Sequence, residues 1–202
     1  MTFEFEWNGD HPAANFVNTL DERLADLPEE RLVSYRALLD FVQQAALIDT
    51  QTAASLMPHA DSRVGETALA AAIAFREALF SVLWAAIRQT MPDVRSLAQV
   101  DSSIQSAHAA RSLRFDSLGF VWAWKVPDSP SRPLWELALS AEQLLLSEPI
   151  QRLKKCAADD CGVLFVDHSR AGARRWCSMA GCGNRHKVQA FRSSRKQADR
   201  DL

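Results

Sequence analysis

No window of the sequence approaches eighteen uninterrupted apolar residues, which argues against a membrane-spanning segment. The first residues, Met1-Thr2-Phe3-Glu4-Phe5-Glu6, alternate apolar with acidic side chains and carry none of the positive-then-apolar character of a secretory signal. A cytoplasmic setting is therefore expected. The chain also lacks a glycine-rich phosphate loop, a nucleophile–base motif, internal repeats and low-complexity tracts. These absences argue against an enzyme. Cysteine is missing from the first 155 residues, and all four cysteines fall between Cys156 and Cys182. In a reducing compartment such a cluster points to metal binding rather than disulfides.

What is present is a chain of 202 residues, 48% hydrophobic, long enough for one large domain or for a domain with a small module. Its formal net charge of −2 conceals an asymmetry. Residues 151–202 hold twelve Lys/Arg against five Asp/Glu, and residues 1–150 hold eleven against twenty, so a basic tail of +7 follows an acidic body of −9. Such a tail suits phosphates or an acidic protein surface.

Along the body, residues 2–7 alternate in the manner of a half-buried strand. Asn8-Gly9-Asp10 turns the chain, and Asp10 or Asn8 is placed to cap a helix with Pro12 in its first turn. That helix would bury Phe16, Val17, Leu20 and Leu24, with Asn15 and Asn18 close to the buried face. The two asparagines read either as partners in local hydrogen bonds or as the wall of a polar pocket. Further helices are expected over 34–48, 50–57, 67–89, 92–110 and 134–147. Arg76, inside the apolar pattern of the longest of these, is either a solvent-facing cation or one turned toward an acidic ligand. Strands are expected over 111–116 and 120–126, with Trp122 and Trp124 sharing a face, and the proline-rich stretch 127–133 reads as a linker.

Cys156 and Cys161 are separated by four residues, as are Cys177 and Cys182, and fifteen residues lie between the pairs. Four thiolates close a tetrahedral shell around Zn²⁺, leaving no position for water or substrate, so one structural zinc ion is expected and a catalytic one is not. The apolar run 163–166, a polar turn and the return run 173–176 suggest a β-hairpin, and Cys177-Ser178-Met179 leads into a helix with Cys182 in its first turn. Hairpin, loop and helix N-terminus around one ion make a treble clef. The expected fold class is α+β: a mostly helical N-terminal domain with a small antiparallel sheet over 1–149, then a treble-clef zinc finger over 150–202.

Basic residues gather on and beside the final helix. Arg174, Arg175, Arg185, Lys187, Arg192, Arg195 and Lys196 could neutralise phosphates and reach base edges of double-stranded DNA. The same face could instead dock on an acidic protein, or be plainly solvated.

The segments Cys161-Gly162, Arg174-Arg175-Trp176-Cys177-Ser178-Met179 and Cys182-Gly183-Asn184-Arg185 closely resemble the CGNR zinc-finger proteins. Phe16-Val17-Asn18-Thr19 and Phe75-Arg76-Glu77-Ala78-Leu79 are similar to their N-terminal ABATE domain. The resemblance implies a bacterial, stress-related transcription regulator whose finger binds DNA and whose N-terminal domain senses an effector, with Asn15, Asn18 and Arg76 the first residues to examine. Family members often carry an acid just before the Phe-Val-Asn-Thr stretch; this chain has Ala13-Ala14-Asn15 there. The resulting expectation is a cytoplasmic, zinc-dependent DNA-binding regulator, a homo-oligomer among its possible assemblies. The alternative is a protein-interaction module that docks an acidic partner through the basic helix.

Overall fold

A computed structural model describes residues 3–117 and 119–188. The body is built on α4 (Arg63–Arg88), whose Ala68, Ala72, Phe75, Leu79, Val82 and Leu83 recur at helical spacing and are buried. Ser62 caps its start by accepting from the Gly65 N–H. Around it lie α1 (Pro12–Val17), α2 (Tyr35–Gln44), α3 (Thr50–Leu56), α5 (Val94–Ala109) and α6 (Arg132–Leu145). Leu137, Ala138, Ala141 and Leu144 give α6 a narrow apolar stripe, and small residues along α4 and α6 let the helices approach closely. By length and composition α4 could cross a membrane. Here its apolar face belongs to the protein core, and a buried arginine sits near its middle.

The small sheets are antiparallel pairs: β1 (Leu20–Asp21) with β2 (Glu29–Glu30), β3 (Arg111–Asp116) with β4 (Gly119–Trp124), and β5 (Leu153–Lys155) with β6 (Leu164–Val166). The α+β class, mostly helical with small antiparallel sheets, therefore holds. Several local expectations do not. Residues 3–7 form no strand; Phe5 and Trp7 instead pack their rings on Phe41 at 5.1 and 5.3 Å. The first helix ends after Val17, Leu20 enters a strand, and Leu24 is half exposed. Its cap is His11, which accepts from the Ala13 N–H at 3.2 Å. Burial, and then the nearby His168, lower the His11 pKa, which keeps the ring neutral and able to accept.

The hairpin expected between 163–166 and 173–176 is also corrected. β6 pairs with β5, Leu153 opposite Val166 and Lys155 opposite Leu164, so the first cysteine pair lies in the loop between the strands. Residues 173–176 form no strand, although the Arg175 carbonyl accepts from the Ala157 N–H. The new pairing places Leu153, Leu164 and Val166 in the same buried cluster as α1, α4 and α6.

Asn18 completes the attachment. Its Nδ2 donates to the Leu164 carbonyl at 2.8 Å and its Oδ1 accepts from the Leu164 N–H at 2.9 Å, so one side chain supplies what a neighbouring strand would have supplied. Gly9 adds a second tie by accepting from the Val166 N–H. A Cβ on Gly9 would lie 2.8 Å from the Asn15 backbone nitrogen, so only glycine fits this approach.

Arg76 is buried, and neither sequence reading describes it. Its guanidinium meets Glu30 in a bidentate pair at 2.7 and 2.6 Å, donates to Glu77 at 2.8 Å and reaches Thr19 Oγ1 at 3.2 Å. The charge on α4 is thus satisfied within the protein, and the pair locks β2 against the helix. Removing one partner of a buried pair strands the other. Glu30→Gln is therefore expected to lower stability by about 3 kcal/mol in urea unfolding, and Arg76→Met with Glu30→Leu to recover much of the loss.

Candidate metal centre

Two chain segments deliver the four cysteines. Cys156 follows β5 directly and Cys161 precedes β6, so a strand pair fixes both ends of the first loop; the Cys156 N–H donates to the Val163 carbonyl at 2.9 Å. The second pair straddles a helix start. Ser178 caps it by accepting from the Gly181 N–H, residues 179–183 form a wide first turn containing Cys182, and helix continues through 184–188. Free N–H groups and the positive end of the helix dipole there favour thiolate.

All four sulfurs are buried and lie within 4.8 Å of one another. Cys161 and Cys177 are 3.8 Å apart at sulfur, and Cys177 and Cys182 3.6 Å. A zinc–sulfur length near 2.3 Å puts tetrahedral sulfurs about 3.8 Å apart. The donor set, burial and spacing thus fit one structural zinc ion, and no pair is joined as a disulfide. Electrostatics point the same way. A hydrogen bond from Cys177 holds Cys161 down toward thiolate, while that same shared proton, followed by burial, pushes Cys177 up. Without a dication the sulfurs must divide protons among themselves; with one, all four ionise.

Donors surround the sulfurs. The Cys177 N–H points at Cys156 Sγ at 3.4 Å, and Arg185 Nη2 donates to Cys182 Sγ at 3.0 Å while Nη1 holds Asp160 at 3.0 Å. Such contacts disperse the negative charge of a four-thiolate shell and orient its ligands. Arg174 is turned inward as well. It donates to the Trp176 and Cys177 carbonyls, pairs with Asp10 and stacks 4.4 Å over Phe165.

Asp167, which the sequence reading passed over, is fully buried beside the metal module. It accepts from Lys154 Nζ at 2.7 Å, the Ser169 N–H at 2.9 Å and the Arg174 N–H at 3.0 Å, tying β5, β6 and the return segment together. The Lys154 bond first, then those from Ser169, hold its carboxyl well below the usual carboxylate range.

Among the residues named from sequence, Arg175, Arg185 and Lys187 are exposed, and Arg170, not among those candidates, is exposed in the turn before the return segment. A shallow, mostly apolar groove runs past Arg170, Ala171, Ala173, Arg175, Trp176 and Met179. Arg192, Arg195 and Lys196 lie outside the described residues. Asn15 and Asn18 share one cavity of about 270 Å³ with Glu6, Asp21, Arg31 and Val163, and Arg76 is not part of its lining. Asn15 Oδ1 accepts from the Gly9 N–H at 2.7 Å. Asn15 thus makes a local bond and Asn18 a long-range one, and both border a polar space.

Residues 152–195 match the family described as "CGNR zinc finger", and residues 10–148 match ABATE, described as "Putative stress-induced transcription regulator". A comparison with curated proteins gives no match.

Two outcomes follow from this geometry. Arg185→Gln is expected to weaken zinc binding about 10- to 100-fold in chelator competition, the range for lost partners of metal ligands. Asp167→Asn is expected to lower stability by about 3 kcal/mol near neutral pH. Because the folded pKa is depressed, the wild-type advantage is full above the unfolded value near about 4 and fades as pH falls further. Urea unfolding of both proteins from pH 7 to pH 3 checks this.

Proposed function

The chain belongs to the ABATE family and ends in a CGNR zinc finger, and from this premise we propose a cytoplasmic transcription regulator that grips double-stranded DNA through its zinc-ordered basic segment. The observation that carries this reading is the placement of cations. Arg175 and Lys187 are exposed on either side of the second cysteine pair, Arg170 precedes them, and the C-terminal segment to which they belong is strongly basic while the body is acidic. Charge of this kind supplies phosphate contacts, and a rigid metal-anchored scaffold gives them fixed spacing. On this reading the ion is structural and orders the interface, and the protein is a regulator rather than an enzyme. The division of labour proposed is a body over 1–149 and a reader over 150–202.

An effector site fits the cavity at Asn15 and Asn18. Asn18 both borders that space and holds β6 by two hydrogen bonds, so a ligand competing for its amide would act directly on the attachment of the metal module.

The second reading is docking on an acidic protein. The apolar groove beside Trp176 and Met179, flanked by Arg170 and Arg175, favours it.

Titration of fluorescent duplex DNA with the zinc-loaded protein separates the two. The DNA reading expects affinity to fall steeply with salt, and Arg175→Ala with Lys187→Ala to weaken binding and lower the salt slope by roughly 0.9 per lost phosphate contact. Cys177→Ser is expected to bind poorly because its interface is unordered. Salt-insensitive or undetectable binding rejects the DNA reading and leaves the acidic-partner one.

A further inference from the structure

The β3–β4 hairpin presents an extended apolar face that is largely exposed. Its register puts Leu113 opposite Trp122 and Phe115 opposite Phe120. Side chains of paired residues share a face, so these four line one side of the ribbon. They are 57%, 59%, 73% and 73% exposed, in that order. The Phe115 and Phe120 rings meet edge to face at 5.0 Å, so the surface is already assembled.

The base of the hairpin is anchored firmly. Trp124 stacks on Trp135 of α6 at 5.4 Å, its indole N–H donates to Glu136, and Arg111 lies over Trp122. A two-stranded ribbon is marginal in water unless its apolar face is covered. Beyond the base nothing described covers this one, and neither strand has a further strand at its outer edge. Edges of this kind attract pairing unless blocked.

We propose that this hairpin is a dimerisation arm, its apolar face packed on the same face of a second copy of the chain. Aromatic side chains contribute about 150–250 Å² each, so four side chains at these exposures remove on the order of 500 Å² per copy and about 1,000 Å² in total, the size at which a specific interface begins. Stacked about a two-fold axis, two such ribbons set the same four side chains against their own copies, the self-complementary contact of a homodimer. A bilayer is a poorer occupant: the apolar residues run from base to tip, and a carboxylate at the tip would enter hydrocarbon first.

Sedimentation equilibrium of the full zinc-loaded chain at micromolar concentrations tests the arm. Wild type is expected at twice the 22.5 kDa chain mass. The variant carrying Leu113→Thr, Phe120→Thr and Trp122→Thr keeps strand-forming residues and is expected to be monomeric, with dimerisation at least about a hundredfold weaker and with unchanged far-UV circular dichroism. A wild type that remains monomeric, or a folded variant that remains dimeric, overturns the proposal. Hydrogen exchange on the wild type covers the case of a variant that fails to fold. Amide protection over 112–123 should rise with protein concentration, and constant protection rejects the arm. Monomeric wild type that sediments with phosphatidylglycerol vesicles assigns the face to lipid instead and equally rejects the dimer.

Discussion

Four sulfur atoms held within one small sphere set the terms for the C-terminal quarter of this protein. Negative charge at that density is unfavourable in a buried site, and each element nearby answers it with positive potential: a helix start at Cys182, a backbone N–H at Cys156, a guanidinium at Cys182. The dication supplies what these cannot. Once the sulfurs are ionised around it, the short strands β5 and β6 and the irregular return segment have a common anchor, which their few backbone hydrogen bonds alone would not provide.

The arginines divide according to where their charge is needed. Arg76 and Arg174 carry it inward, to Glu30 on β2 with Glu77 on α4 and to carbonyls of the return segment, while Arg185, itself exposed, turns one nitrogen to a thiolate. Arg170 and Arg175 carry it outward. Glu77, though burial opposes its ionisation, is kept charged by Arg23 and Arg76, so the α4–β2 junction is a small internal salt network rather than an open site.

The metal centre was legible in the sequence because ligand type and ligand count are local properties. So were the five longer helices, whose apolar spacing survives, and the existence of strands β3 and β4, where strand-forming residues flank a short turn. Strand partnership at the metal was not legible. An apolar run, a turn and a second run imply a neighbour close by in sequence, whereas β6 found its partner across the cysteine loop in a strand of three residues, too short to show a period. The role of Arg76 was hidden for a similar reason: its partner Glu30 lies 46 positions away. Arg174 and Arg175 are chemically identical neighbours, and only the position of Asp10 and Phe165 distinguishes the inward one from the outward one. The alternation over 2–7 misled because its aromatics found Phe41, not a strand.

The bond between Asn18 and Leu164 spans 146 positions of sequence. Leu153, Leu164 and Val166 belong to the buried cluster of α1 and α4, so the part of that core which they fill stays open until the last quarter of the chain has been synthesised. Long-range closure of this kind is slow and leaves sticky surface exposed while it waits. Growth of the polypeptide therefore leaves that part of the core unfilled at residue 150, and the strands that fill it are the ones that flank the first cysteine pair.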